Sequence, residues 1–194
     1  EEELVERLAD GVHLLGIRSK TRVTARALEA GKRLLSVGAF CIGTNQIDLA
    51  AAKRCGIPVF NAPFSNTRSV AELVICEIVM LSRHLGDRSR EVHEGKWRKV
   101  AAGSHEVRGK TLGIIGYGHI GSQVGVLAEA MGMRVISYDI RATLPMGNNK
   151  AVDSLETLLT QSDFVTLHVP ETPQTRGMIG KTELELMRND ACLL

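Results

Sequence analysis

The chain has 194 residues, a formal net charge of +2, 44% hydrophobic residues and 24% charged residues. Such a composition is ordinary for a globular protein, and it gives no signature of disorder. No basic run and no basic–aromatic stripe is present, which argues against nucleic-acid binding, and no apolar run approaches the roughly 20 residues that span a bilayer.

Cysteine and histidine are placed without any pattern typical of metal sites. Neither CxxC spacing nor a His/Cys cluster occurs, so we expect no metal site. We interpret the four cysteines as reduced core thiols of a cytoplasmic protein. They are Cys41, Cys55, Cys76 and Cys192.

Both ends of the chain suggest a piece of a longer protein. The first residue is Glu1 rather than methionine, and it begins a charged helical segment over 1–8. The last residues, 191–194, are apolar and resemble a strand that is just beginning. No signal peptide is visible.

The first sixty residues alternate between short apolar runs and helical patterns. We predict strands over 12–17, 34–37 and 57–60, with helices over 24–30 and 48–55 between them. Short apolar strands separated by helices are typical of a buried parallel sheet.

A loop over 61–67 interrupts this alternation. Ser69 followed by Glu72 forms a capping-box pattern, which predicts a helix from there to about Arg83. The apolar run over 73–81 predicts that this helix is buried. Because α/β patterns lie on both sides of the loop, we predict two domains.

The second half of the chain has clearer alternation, after a polar, strongly charged stretch over 88–108. The alternating pattern predicts a doubly wound α/β architecture. Its predicted strands are 111–115, 134–138 and 164–169, and its predicted helices are 120–131, 155–159 and 181–187.

A G-x-G-x-x-G sequence joins the first of these strands to the following helix, which is the context expected of a dinucleotide-binding turn. Gly116 permits the tight turn, Gly118 lets the backbone approach a pyrophosphate, and Gly121 allows close helix–strand packing. Asp139 ends the next strand, at the position expected to accept hydrogen bonds from a ribose. A tight structural turn with a loop-capping Asp is the alternative interpretation.

Asp139 also bears on the choice of cofactor. Its carboxylate would repel the 2′-phosphate of NADP, whereas Arg141 could accommodate that phosphate. We predict NAD.

Several polar residues of the first half are weaker candidates. Arg18 and Ser19 follow a predicted strand, where open α/β sheets bind ligands, and Arg18 could hold a phosphate or carboxylate. Asn66 and Arg68 could face a cleft, or could serve as cap or surface residues. Trp97 could anchor a subunit contact or cover a small local core.

Three stretches of this sequence resemble the D-2-hydroxyacid dehydrogenases. Residues 109–121 resemble the cofactor motif of that family. Residues 40–49 and 60–72 are most similar to its bacterial members that oxidise 3-phosphoglycerate. The similarity covers essentially the whole chain.

The resemblance implies a partial flavodoxin-like substrate domain over 1–66, followed by a partial Rossmann-type NAD-binding domain over 67–194. It implies hydride transfer between C2 of 3-phosphoglycerate and NAD, the entry step of serine biosynthesis. His119 and Ile120 match cofactor contacts, and Arg18 matches a substrate contact. Trp97 and Lys99 lie in a segment that reaches a partner subunit in relatives, so we expect a homo-oligomer.

Two departures from the family limit these expectations. Many members carry Arg-Ala-Gly where this chain has Ala39-Phe40-Cys41, which affects the loop that meets the substrate carboxylate. The family's catalytic Arg, Glu and His match positions beyond Leu194, so no residue here is named as catalytic.

A related dehydrogenase of another small 2-keto acid, and an NAD-sensing protein of the same fold, remain alternatives. The exact hydroxy acid, the oligomer size and feedback control stay open.

Overall fold

A computed structural model describes residues 1–141 and 144–194. The chain divides into two compact units, an amino-terminal unit, Glu1–Asn66, and a carboxyl-terminal unit, Thr67–Leu194.

The amino-terminal unit is a three-stranded parallel sheet in the order β1-β2-β3. Thr24 and Asp48 begin the two helices that connect the strands, because their side chains accept hydrogen bonds from the N–H groups of Ala27 and Ala51. The elements are α1 (Glu2–Ala9), β1 (Leu14–Ile17), α2 (Ala25–Ala30), β2 (Ser36–Ala39), α3 (Leu49–Arg54) and β3 (Val59–Asn61).

The two faces of this sheet differ. One face carries the core, to which Ile17, Val37 and Leu28 contribute. On the other face Gly16 pairs with Gly38, and the ring of Phe40 lies over them, since a Cβ built on Gly16 would come within 3.1 Å of that ring. Phe40 is 71% exposed. Apolar surface therefore remains open to solvent on this face.

The carboxyl-terminal unit contains a five-stranded parallel sheet in the order β6-β5-β4-β7-β8. From β4 the chain adds two strands on one side, then crosses over and adds two on the other. This confirms the predicted doubly wound architecture. The elements are α4 (Thr67–Ser82), α5 (Leu85–His93), β4 (Thr111–Ile115), α6 (His119–Ala130), β5 (Arg134–Tyr138), β6 (Lys150–Ala151), α7 (Leu155–Gln161), β7 (Phe164–Leu167), α8 (Lys181–Leu186) and β8 (Cys192–Leu193).

The central strand β4 is buried along its whole length. Its residues alternate between two cores, with Leu112 and Ile114 in one that includes Val124 of α6. Ile115 points into the other, with Leu158 of α7. Helices therefore cover both faces of the sheet, which explains why the strand sequence is almost wholly apolar.

The structure corrects the predicted start of the long helix. α4 begins at Thr67, so Ser69 lies within the first turn and is not the N-cap. Glu72 forms an exposed ion pair with Arg68 at 2.7 Å rather than a capping box. The capping-box pattern was matched by chance, since a glutamate at this position is equally suited to an i,i+4 ion pair on the helix surface.

The expectation that this helix is buried is also wrong for one of its faces. Ala71, Val74 and Ile78 are buried, but Leu73 is 57% exposed. The apolar run therefore forms a helix with one core-facing side only.

A second correction concerns the charged stretch over 88–108, part of which is helical. α5 is polar on most of its surface, and ion pairs one turn apart join Arg88 to Glu91 and Asp87 to Arg90. His84 separates α4 from α5 with a left-handed φ of 52°. The helix lacks an apolar stripe, which is why periodicity did not reveal it.

Two of the four cysteines are not core residues. All four are free thiols, but Cys55 and Cys76 are exposed and the other two are half-buried. The interpretation as core thiols is therefore wrong for Cys55 and Cys76, whereas Cys41 and Cys192 each pack against a core.

Candidate dinucleotide site

The glycine turn lies at the carboxyl end of β4, between the ends of its two neighbouring strands. Gly116 adopts a φ of +89°, which L side chains rarely adopt. Its N–H donates to the carbonyl oxygen of Tyr138 at 2.9 Å, while the N–H of His168 donates to the carbonyl of Ile115 at 2.8 Å. β5 and β7 lie on opposite sides of β4 in the sheet, and both run parallel to it. The turn after β4 therefore occupies the topological switch point of the sheet.

The three glycines of the turn meet different surroundings. A Cβ on Gly116 would lie 2.7 Å from the carbonyl oxygen of His168, and one on Gly121 would collide with the carbonyl oxygen of Gly116. A Cβ on Gly118 would meet no described atom within 4 Å. Two glycines thus permit the close packing of the turn, whereas Gly118 faces open space.

Gly118 is also the N-cap of α6, and no side chain among the described residues caps this helix end. The positive end of the helix dipole therefore points toward the open space beside Gly118. His119, in the first turn, is exposed, and Ile120 is half-buried against the core beneath the sheet. A phosphate in the open space would face the backbone of this first turn.

Asp139 lies beside the turn and contacts it directly. Its Oδ2 accepts a hydrogen bond from the N–H of Tyr117 at 2.8 Å, and its Oδ1 accepts one from the N–H of Arg141 at 3.0 Å. The carboxylate therefore stands at the edge of the glycine turn, as the spacing predicts. Its contact with Tyr117 was not foreseen.

Tyr117 is held in the turn by its side chain as well. The residue is 3% exposed, and a Cβ on Gly125 of α6 would lie 3.1 Å from its hydroxyl oxygen. Burial raises the pKa of the Tyr117 hydroxyl above its ordinary value. The hydroxyl thus stays protonated at neutral pH, and the ring anchors the turn to α6.

His168 lies beside the glycine turn, and the sequence patterns did not single it out. It follows β7 at the switch point, and its Nε2 lies 3.1 Å from Oγ1 of Thr166. Burial lowers the pKa of its imidazole, so the ring is neutral at pH 7. The available indication was a polar residue directly after an apolar strand, next in the sheet to the strand that carries the glycines.

The substrate candidates of the amino-terminal unit are all exposed. Arg18 and Ser19 follow β1, are exposed, and lie next to the end of β2, because the N–H of Phe40 donates to the carbonyl of Ile17. Arg18 has no ion-pair partner among residues 1–141 and 144–194. Asn66, the last residue of the unit, is exposed as well.

The loop after β2, where the sequence departs from the family pattern, is braced by side chains. Nε2 of Gln46 donates to Sγ of Cys41 at 3.2 Å and to the carbonyl of Gly43 at 3.3 Å. Nδ2 of Asn61 donates to the carbonyl of Ile42 at 2.7 Å. Cys41 therefore has a structural part in this loop.

Trp97 covers no local core, since it is 83% exposed.

In the part of the chain that the structure describes, no three His, Cys, Asp or Glu side chains come together as metal ligands would. No helix among the described residues is long and apolar enough to cross a membrane.

Comparison with known proteins agrees with this geometry. Residues 75–194 match the family model described as D-isomer specific 2-hydroxyacid dehydrogenase, NAD binding domain. The chain is 59% identical to D-3-phosphoglycerate dehydrogenase of Dictyostelium discoideum over 194 residues, which is 100% of this chain and 47% of that protein. It therefore spans about half the length of the curated relatives it matches.

Two solved structures extend the likeness to the fold. The TT0316 protein of Thermus thermophilus matches with a TM-score of 0.91 and 30% identity, over 99% of this chain and 61% of that one. NAD-dependent formate dehydrogenase from Staphylococcus aureus in complex with NAD matches with a TM-score of 0.85 and 30% identity, over 99% and 59%. The predicted α/β fold class and the NAD cofactor are both confirmed.

Proposed function

Because the chain belongs to the family of D-isomer specific 2-hydroxyacid dehydrogenases, we propose that the complete protein oxidises 3-phosphoglycerate to 3-phosphohydroxypyruvate with NAD. This would be the first step of serine biosynthesis. The observation that carries the proposal is the 59% identity, over the whole chain, to a relative named D-3-phosphoglycerate dehydrogenase. The dinucleotide site described above supplies the matching chemistry.

In this proposal the carboxyl-terminal unit, Thr67–Leu194, binds NAD. The pyrophosphate would lie beside Gly118 against the first turn of α6, at His119, Ile120 and Gly121, where backbone N–H groups and the helix dipole favour negative charge. Asp139 would accept hydrogen bonds from the adenosine ribose. When bound, the nicotinamide would accept the hydride from C2 of the substrate.

The charge of Asp139 supports NAD over NADP. The carboxylate already contacts two backbone N–H groups, so it is held in place where a 2′-phosphate would otherwise approach. Arg141 is exposed and adjacent. We propose that the repulsion by Asp139 outweighs any attraction by Arg141, since the carboxylate is the better-positioned charge.

The amino-terminal unit, Glu1–Asn66, would bind the substrate. Arg18 is an exposed cation at the carboxyl end of a parallel strand, without an ion-pair partner among the described residues, which suits an anionic substrate. Ser19 and Asn66 would contribute hydrogen bonds. We place the proton-transferring groups outside residues 1–194, so this chain alone would bind NAD weakly and would not turn over.

The surface of the carboxyl-terminal unit supports a homo-oligomer. Trp97 is 83% exposed, and apolar side chains of α4 and α5 are exposed as well. Exposed aromatic and aliphatic groups of this kind are frequent at subunit interfaces. The apolar side chains are Leu73, Met80, Leu81, Leu85 and Val92.

Four free cysteines support a reducing, cytoplasmic location.

The test is a substrate comparison with the full-length protein. NADH absorbance is followed with NAD and 3-phosphoglycerate, D-lactate, D-glycerate or formate, and NADP replaces NAD in a second series. We expect turnover with 3-phosphoglycerate and NAD to exceed every other combination. Higher kcat/KM with an unphosphorylated acid would contradict the proposed substrate, whereas equal use of NADP would contradict only the role of Asp139.

A further inference from the structure

Asp139 is engaged within the protein before any ligand is considered. One carboxylate oxygen accepts from the N–H of Tyr117 at 2.8 Å, and the other accepts from the N–H of Arg141 at 3.0 Å. The first bond joins the turn after β5 to the glycine turn after β4. The second closes the turn that Asp139 itself begins.

The Tyr117 N–H depends on this bond. The residue is 3% exposed, its ring is packed on α6, and Gly116 before it has a φ of +89°. A buried N–H that loses its acceptor is costly, because water cannot replace the lost partner without opening the turn. The backbone of the glycine turn therefore has a reason to rearrange when the carboxylate is absent.

We propose that Asp139 is a positioning residue for the pyrophosphate turn as well as an acceptor for the ribose, an inference that rests on the proposed NAD site. A carboxylate offers about four lone-pair directions, and backbone N–H groups use two of them. The remaining two suffice for the ribose hydroxyls. One side chain therefore links recognition of the ribose to the shape of the turn that receives the phosphates.

This dual role has a consequence that a role in ribose recognition alone would not have. Loss of Asp139 weakens the binding of a nucleotide that carries no ribose hydroxyls, because the turn beneath its phosphates has changed. The pair of probes that separates the two effects is ADP and 2′,3′-dideoxyadenosine 5′-diphosphate. The dideoxy compound keeps the base and both phosphates but has no hydroxyl for Asp139 to accept from.

The experiment measures the affinity of the full-length protein for both probes by calorimetry. The variants are Asp139→Ala and Asp139→Asn, with Asp153→Ala as the control, since Asp153 is an exposed aspartate outside the site. We expect Asp139→Ala to weaken dideoxy-ADP roughly tenfold, the equivalent of one hydrogen bond to a charged group. ADP should be weakened more, because it also loses its ribose contacts.

Asp139→Asn should weaken recognition of the ribose while it preserves the contact with the glycine turn. Its amide oxygen can still accept from the N–H of Tyr117, whereas its amide nitrogen cannot accept from the N–H of Arg141, which is an exposed residue. Dideoxy-ADP should therefore bind nearly as in the unaltered protein, while ADP loses a charged acceptor. Hydrogen–deuterium exchange of the Tyr117 amide gives a second readout without ligand. Exchange should be faster in Asp139→Ala than in Asp139→Asn or in the control.

The outcomes distinguish this inference from the proposed function. If Asp139→Ala weakens ADP but leaves dideoxy-ADP and the Tyr117 amide unchanged, Asp139 is a ribose acceptor only, and the inference is overturned while the NAD site stands. If the unaltered protein binds neither NAD nor ADP, both are overturned.

Discussion

Substituting alanine at two glycines of the turn separates ligand binding from folding. The Cβ of Gly118→Ala would point into open space, with no described atom within 4 Å, and the backbone φ of −83° is one that alanine adopts. The Cβ of Gly121→Ala would collide with the carbonyl oxygen of Gly116 and lie 3.0 Å from Ile114. The first variant should keep nearly the stability of the unaltered protein, whereas the second should be less stable.

The magnitudes follow from these surroundings. Gly118→Ala should change the free energy of unfolding by less than about 1 kcal/mol, because the restriction of the unfolded chain by alanine is offset by the preference of an N-cap for glycine over alanine. It should weaken NAD by about 1.5–3 kcal/mol, or roughly 10- to 150-fold, if its methyl group displaces one phosphate hydrogen bond. Gly121→Ala should lower the free energy of unfolding by about 1–3 kcal/mol, since backbone must move to relieve the clash.

Gly86→Ala is the matched control. Gly86 lies in the exposed helix α5, and a Cβ there also meets no described atom within 4 Å. It should be at least as stable as the unaltered protein and should bind NAD equally well. Unfolding in urea is followed by far-UV circular dichroism, and NAD binding by calorimetry. Unchanged NAD affinity in Gly118→Ala would refute the assignment of the open space to the pyrophosphate.

Three further predictions concern other sites. Arg18→Ala in the full-length protein should raise KM for 3-phosphoglycerate more than it lowers kcat, because the substitution removes a contact that the substrate makes in both the ground state and the transition state. A constant KM in steady-state kinetics would refute this prediction. Asp163→Ala should lower the free energy of unfolding in urea by about 1.5–3 kcal/mol, since this buried carboxylate accepts from the N–H of Thr111 at 2.7 Å. The exposed Asp190→Ala should change the free energy of unfolding by less than about 0.5 kcal/mol, and equal effects of the two substitutions would show that burial of Asp163 is irrelevant. Burial lowers the folded-state pKa of His168, so the unfolded state binds the proton more readily and the free energy of unfolding falls as the pH drops below about 6.5. His168→Gln should lose that part of the pH dependence when unfolding is measured between pH 5 and 8. An unaltered pH profile in this variant would contradict the prediction.

Much of the local structure was predictable because it depends on neighbouring residues. The strands 111–115 and 134–138 have the predicted bounds, since each is a short apolar run with clear breaks on both sides. Thr24 and Asp48 begin helices at the expected positions because a side-chain oxygen satisfies an N–H within the next turn. The glycine turn was recognisable for the same reason, as its conformation is limited by the residues within it.

The errors arose where a short pattern had more than one physical meaning. Glu72 is suited to an i,i+4 ion pair with Arg68 as well as to a capping box with Ser69, and the start of α4 at Thr67 decided between them. The charged helix α5 has no apolar periodicity to predict it. The exposure of Cys55 and Cys76 depends on which helix faces meet a core, and residue type alone does not determine that.

The sequence by itself therefore determined the α/β class, the bounds of strands β4 and β5 and the candidate residues Gly116, Gly118, Gly121 and Asp139, because each depends on residues close together along the chain. Only the tertiary structure placed His168 next to the glycine turn and joined Asp139 to the Tyr117 N–H. Strand order in a parallel sheet is set by crossovers that bury apolar faces far apart in sequence. Contacts between separate strand ends therefore arise only when the whole sheet has assembled.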